Sequence, residues 1–366
     1  MLDAVDATRN HSRATMQDVA ARAEVGLKTV SRVVNNEPGV SAETRAKVFE
    51  AMRALRFSPD RIAGSLRRGD RRTQTIGLLL VGVDNPYDAA VHRTVEIAAA
   101  AHNVSVFAST TDEDPRRERE LIARYLARRV DGLILMPCGS DLTSELEEGI
   151  PIVAVDREVK GMQTDCVLTD HFEAAELATE HLLGSGHRRI AFLSDLPKIP
   201  SAAARLAGYQ QAMGRAGIPI DPELVSVGNH TEEDSLNSAL RMITLPNPPT
   251  AIFSGQDIVT CGAVRALQAR DMHHRIALVS FDDVPMSDLL DPQLTVIAQN
   301  PLDIGRIAAE RLFLRMDDPT LRPERIVVPA RLIRRGSGEI APRVVHSSGA
   351  LPPKFHDGHT DCGCES

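Results

Sequence analysis

Apolar residues recur at helical spacing over residues 15–55, whereas beyond residue 75 they collect into short unbroken runs separated by amphipathic stretches. The first pattern predicts a group of short helices, and the second predicts buried strands alternating with helices. Val19, Ala20 and Ala23 fall on one face of a first helix, which Thr15 opens with Asp18 three residues on, a capping-box arrangement. Val30, Val33 and Val34 line a second helix over 27–34, and Gly26 before it permits a sharp turn. After a turn cluster at 35–39, Ser41 caps a third helix running to about Leu55, with Val48, Met52 and Leu55 inward. Two short helices joined by a tight turn and braced by a third form an all-α helix-turn-helix headpiece.

In the second region the runs 76–81, 104–107, 132–135, 152–155, 190–193, 251–253 and 276–279 are apolar at consecutive positions, so both faces of each strand should be covered. Helical stretches such as 117–129, 174–183 and 259–269 lie between them. Strand and helix in alternation predict a doubly wound parallel α/β arrangement. The number of strands suggests two lobes, with the chain leaving the first near Asp170 and returning to it near Pro301. The expected division is a headpiece over 14–57, a linker over 58–73, a two-lobed core over 74–337 and a disordered tail over 338–366. Ser58 and Pro59 open the linker as a helix would begin, but it is too short to be stable alone and Gly64 weakens it further. Such a segment is expected to need a binding partner in order to fold.

The polar face of the 27–34 helix carries Lys28, Thr29, Ser31 and Arg32, groups that donate to phosphate oxygens and guanine edges. A net charge of −8 argues against a nucleic-acid partner until its distribution is read. Residues 13–72 hold thirteen Lys or Arg against seven Asp or Glu, a local +6 that leaves the rest at −14. Local basic charge is what counterion release rewards, so DNA binding belongs to the N-terminal part. At 366 residues, 43% hydrophobic and 25% charged, the chain reads as a soluble protein of two or three domains. No apolar run is long enough to span a bilayer and residues 1–10 lack an export pattern, so a cytoplasmic location is expected. Five scattered cysteines agree with a reducing compartment.

The run from Thr15 to Asn35 closely resembles the N-terminal signature of the lactose-repressor family of bacterial transcriptional regulators, Thr-x-x-Asp-Val-Ala-x-x-Ala-Gly-Val-Ser-x-x-Thr-Val-Ser-Arg-Val-x-Asn. It departs at Glu24, where the family usually has glycine, and at Gly26, where it usually has the serine that caps the recognition helix. The resemblance implies a homodimer that reads a palindromic double-stranded operator through Thr15, Gln17, Leu27, Lys28, Thr29, Ser31, Arg32 and Asn35. It also implies that 58–69 is a hinge helix whose Leu66 wedges into the minor groove; a flexible basic linker is the alternative. The core would then be the family's periplasmic-binding-protein-like effector domain. No leucine heptads follow it, so a tetramer-forming coiled coil is not expected.

Ligands of open α/β sheets bind beyond the carboxyl ends of strands, which is where Asn85-Pro86-Tyr87-Asp88, Asp156-Arg157 and Phe281-Asp282 fall. By resemblance, effector contacts come from Tyr87, from Arg205 in an Arg-x-x-Gly-aromatic motif with Gly208 and Tyr209, from Gln256 and from Asp282. Asp88 and Arg157 join this set, Asp88 standing where many sugar-binding members have a second aromatic. With no Trp and 3% aromatics, the pocket favours hydroxyl-rich ligands held by hydrogen bonds, such as a polyol, sugar or sugar acid bridging the lobes between Arg205 and Asp282. The rival reading for each position is a loop ion pair or a helix cap.

No dinucleotide fingerprint, P-loop or nucleophile elbow occurs, so neither catalysis nor a cofactor is expected. Asp282 and Asp283 follow a strand and point to opposite faces, which leaves Asp282 for ligand binding rather than joint acid–base work. His187 sits in a helix-to-strand connection and reads as structural. His356, His359, Cys362 and Cys364 are spaced closely enough to coordinate zinc, but the Pro/Gly/Ser-rich tail reads as disordered and no metal site is assigned. Two other classes would leave different marks on the sequence. An exported sugar-binding protein should carry a signal peptide, and an enzyme on the same lobes should show a nucleophile or cofactor motif; neither is seen.

Overall fold

A computed structural model describes residues 14–35, 37–57, 72–146 and 149–342. Three helices open the chain: α1 (Met16–Arg22), α2 (Leu27–Val34) and α3 (Ala42–Ala54). The capping box at α1 forms, the Thr15 hydroxyl accepting from Asp18 N and the Asp18 carboxylate accepting from Thr15 N. Val19, Ala20, Ala23, Val30, Val33, Val48 and Ala51 make a small shared core, with Val34, Met52 and Leu55 partly buried at its edge. The sharp turn is carried by a different residue from the one expected. Gly26 has ordinary extended φ of −67°, whereas Glu24 takes the left-handed conformation at φ 54°.

The remainder forms two sheets. The first comprises β1 (Thr75–Leu80), β2 (Ser105–Thr110), β3 (Leu133–Leu135), β4 (Ile152–Val155), β5 (Asp165–Leu168) and β11 (Arg325–Val327). Its order is β11-β5-β4-β3-β1-β2, parallel throughout. The second comprises β6 (Ile190–Leu193), β7 (Val225–Ser226), β8 (Ala251–Ser254), β9 (Ala277–Phe281), β10 (Thr295–Ala298) and β12 (Arg331–Ile333). Its order is β12-β10-β9-β8-β6-β7, and only β12 runs antiparallel.

Helices α4 (Pro86–Ala101) and α11 (Pro301–Asp317) cover one face of the first sheet, and α5 (Pro115–Ala127) and α6 (Thr143–Leu146) the other. In the second lobe, α7 (His171–Gly184) and α8 (Pro200–Arg215) lie on one face, opposite α9 (Glu232–Ile243) and α10 (Asp257–Ala269). Covering both faces explains the unbroken burial of β1, β4, β6 and β9. The edge strand β2 departs from expectation and is largely exposed.

The chain crosses between lobes near Asp170 and Pro301, and again between β11 and β12, a third crossing the apolar runs do not reveal. Strand order reverses between β1 and β3 in one lobe and between β6 and β8 in the other, so each lobe has a topological switch point at the carboxyl ends of its strands. Residues 338–342, expected in the tail, belong to the packed core, because the His187 ring pairs with Ile340 O at 2.8 Å and with the Thr250 hydroxyl at 2.9 Å. Leu66 and the tail residues His356, His359, Cys362 and Cys364 lie outside the described residues.

Candidate functional site

Two surfaces concentrate the chemistry. On the headpiece, Gln17, Leu27, Lys28 and Arg32 are exposed and Thr29, Ser31 and Asn35 half-buried, at the start of α1 and along α2. Leu27, 43% exposed at the start of α2, is an apolar group of the kind that meets a thymine methyl. Arg32 rests 3.7 Å from Glu37 in an exposed ion pair, which costs at most about 1 kcal/mol to release. Asn35 Nδ2 donates to Ser31 Oγ at 3.4 Å. Thr15 spends its hydroxyl on the α1 cap.

Between the two sheets lies a cleft of about 470 Å³, lined by the loops beyond β1, β4, β6, β8 and β9. Tyr87, Asp88, Arg157, Arg205, Gln256 and Asp282 all line it. Asn85 caps α4 through its side chain, accepting from Tyr87 N at 2.8 Å and Asp88 N at 3.4 Å, and so sets both residues over the first lobe's switch point. Asp88 Oδ2 accepts from Val81 N at 2.9 Å and Gly82 N at 2.8 Å. Burial nonetheless pushes its carboxyl up to about 7, against the pull of those amides. The Tyr87 hydroxyl is buried without a partner among the described residues, and burial together with Asp156, Asp88 and Asp282 nearby raises its pKa well above the usual tyrosine value.

Arg157 is tied down by its own lobe. It donates to Glu113 at 2.6 and 2.9 Å, to Pro137 O at 3.1 Å and to Asp156 at 3.1 Å. Arg205 belongs to the second lobe, where Nη1 donates to Gly255 O at 2.6 Å and the guanidinium lies 3.9 Å from the Phe281 ring centre. Its α8 can come close enough because Gly208 faces α7. A Cβ there would stand 2.3 Å from Phe172 O. Tyr209 is structural, its hydroxyl donating to Ile190 O at 2.9 Å.

Asp282 leaves β9 at φ 74° and accepts from Gln299 Nε2 at 2.7 Å, while Asp283 turns away to Arg335. Burial pushes the Asp282 carboxyl up to about 6, partly offset by Arg205. Because Arg205 and Asp282 both lie in the second lobe, a ligand held by that pair alone does not bridge the lobes, contrary to the sequence reading. On the first-lobe side the cleft is lined by Tyr87, Asp88 and the loop at Asp156.

A buried polar chain joins the lobes beneath the cleft. Asp156 accepts from Arg157 and meets His171 Nε2 at 2.9 Å, and His171 Nδ1 faces Arg205 Nη2 at 3.3 Å and Nε at 3.4 Å. Because a guanidinium only donates, Nδ1 must accept; His171 is therefore neutral with its proton on Nε2, pointing at Asp156. Burial and Arg205 pull the His171 pKa down against Asp156. Burial alone would raise Asp156, but His171, Arg157 and Arg205 outweigh it and hold the carboxyl well below the usual range. His171, Asp195, His230, Asp257 and Gln299 are cleft or relay residues the sequence reading did not single out. Applying the strand-end rule to β6 would have found Asp195; Gln299 follows β10, a strand not expected at all.

The match to known proteins agrees with both surfaces. Residues 15–60 match the family model for bacterial regulatory proteins of the lacI family, and residues 179–338 match a periplasmic binding protein-like domain. The chain is 30% identical to catabolite control protein A of Priestia megaterium over 88% of this chain and 98% of that protein. It is 31% identical to the ribose operon repressor of Escherichia coli K12 over 88% and 99%. Among solved structures, the lac repressor dimer bound to operator and the anti-inducer ONPF superposes with a TM-score of 0.79 at 26% identity, covering 90% of this chain and all of that one. The complex of the regulator CelR with cellobiose gives 0.66 at 29%, covering 89% and 100%. Headpiece, two-lobed core and relatives of matching length together place this chain in the lactose-repressor family of bacterial DNA-binding transcriptional regulators.

Proposed function

We propose that this protein is a homodimeric repressor that releases or engages a palindromic operator according to whether a small polyhydroxy effector occupies its interlobe cleft. The division into headpiece (14–57), linker (58–73) and a core that begins at 74 and takes in residues 338–342 gives each task its own part. In this reading Thr15, Gln17, Leu27, Lys28, Thr29, Ser31, Arg32 and Asn35 form the DNA face, Arg32 and Lys28 taking base edges. Leu66 in the linker wedges the minor groove at the operator centre. Relatives named for ribose and solved with cellobiose support a sugar or sugar derivative as effector.

The observation that carries the proposal is the convergence of polar groups from both lobes on one cleft at two topological switch points. A ligand touching both lobes favours one closure angle, and closure alters the spacing of the paired linkers. The test is a linkage experiment. Arg205→Ala and Asp282→Ala should bind operator like the wild type in gel-shift titrations while losing the effector-induced change, a coupling of typically ~1–3 kcal/mol. Undiminished effector response in both variants would place the effector elsewhere.

A further inference from the structure

The donor and acceptor balance of the cleft narrows the chemistry of what it holds; the argument rests on the cleft being the effector site. Eight carboxylates line it against two arginines. Arg157 is committed to Glu113 and Asp156, and Arg205 to Gly255 O, His171 and the Phe281 ring. Asp112 pairs with Arg117 and Asp195 with His230. Among the described residues the exposed Asp84 has no cationic partner, and neither do the more enclosed Asp88, Asp257 and Asp282. Each of these last three uses a single oxygen internally: Asp88 Oδ2 takes two backbone amides, Asp282 Oδ1 takes Gln299, and Asp257 Oδ1 takes Ile258 N. The second oxygen of each is left for the ligand.

Two further polar atoms lining the cleft, one from each lobe, are buried without partners among the described residues. They are the Tyr87 hydroxyl, lying among Asp88, Asp156 and Asp282, and Gln299 Oε1. Gln299 Oε1 can only accept. The unspent capacity is therefore dominated by acceptors, with the free N–H groups of Arg205 the main donors. Buried carboxylates without a counter-charge are costly, and a ligand that brings one recovers that cost on binding. A metal ion does not fit, because among the described residues no three His, Cys, Asp or Glu side chains are placed to hold one. An anion such as a sugar acid would add to the excess of negative charge. Asp88, standing where the family resemblance expects an aromatic, supplies charge in place of a stacking surface.

We propose that the effector is a polyhydroxylated amine, bound as its cation, with the ammonium group at Asp88 and Asp282 and hydroxyl groups at Arg205, Tyr87 and Gln299. The test uses full-length protein and three hexose series, gluco, galacto and manno. Each series supplies the 2-amino sugar, the neutral sugar and the uronic acid, titrated calorimetrically at pH 7. In at least one series the amine should bind roughly tenfold tighter than its neutral parent, with the acid weakest. Asp88→Asn keeps the shape and the amide contacts, and should bring that ratio close to one; Asp282→Asn serves as a second variant. A neutral sugar binding as tightly as its amine, and lost in Arg205→Ala, overturns the charge assignment while leaving the effector cleft standing. An amine whose binding neither Arg205→Ala nor Asp88→Asn weakens overturns both. Absence of binding by all nine compounds also overturns the proposal.

Discussion

Glu24 shows how one position stores a departure from the family pattern. Its backbone is left-handed at φ 54°, a conformation that costs an L-residue about 1–2 kcal/mol and glycine almost nothing. Gly26, at φ −67°, has no use for glycine's freedom and forgoes the side-chain cap that α2 lacks. Glu24→Gly should therefore stabilise the headpiece by about 1 kcal/mol. Gly26→Ser, with open space where its Cβ would stand, should add a few tenths more. Calorimetric melting of the full chain checks both through the headpiece transition. An unchanged or lowered midpoint for Glu24→Gly would mean the strain is absorbed elsewhere.

At the scale of elements, the contact between α7 and α8 decides where Arg205 sits. Gly208 lets α8 approach until only hydrogen fits against Phe172 O and Ala175 Cβ. A methyl group meets backbone there, so neither side can yield by a rotamer change. Gly208→Ala should destabilise the second lobe by about 1–3 kcal/mol and displace Arg205 from Gly255 O, weakening effector binding as well. Thermal melts and effector titration of the same variant report the two effects; an unchanged melt would show that the helices can separate at no cost. Helix α11 is positioned differently, by charge. Arg311 donates to the fully buried Asp165 at 2.7 Å and Arg315 donates to its other oxygen, clamping the helix of the second crossing onto β5.

Across the whole molecule, stability should carry a signature of the cleft carboxylates. Asp88 near 7 and Asp282 near 6 hold protons in the folded state that the unfolded chain releases near 3.8. Their contribution is complete below that lower value and is lost as pH rises through 6 to 7. His171 acts with the opposite sign, its lowered folded pKa costing stability only as pH falls below its ordinary 6.5. From pH 6.5 to 8 the carboxylates therefore dominate, and the melting temperature of the unliganded protein should fall as pH rises. Asp88→Asn should remove most of that slope in melts at constant ionic strength; a slope that survives would assign the proton to another group.

The linear sequence determined whatever depends on near neighbours. The α1 capping box, the apolar stripes of the headpiece and the unbroken runs of β1, β4, β6, β8 and β9 follow from spacing alone, because caps, helix faces and doubly covered strands are set within a few residues. The loops beyond β1, β4 and β9 were legible for the same reason, since a strand's carboxyl end is a local landmark. Strands β5, β7, β10, β11 and β12 were not, being two to four residues long and held by tertiary partners, as Asp165 of β5 is by Arg311 and Arg315. Only the tertiary structure placed Arg205 and Asp282 in the same lobe, set neutral His171 between Asp156 and Arg205, and gathered unpaired carboxylates around the Tyr87 hydroxyl. Such juxtapositions depend on how two sheets face one another across three chain crossings, and separation in sequence carries no record of that distance.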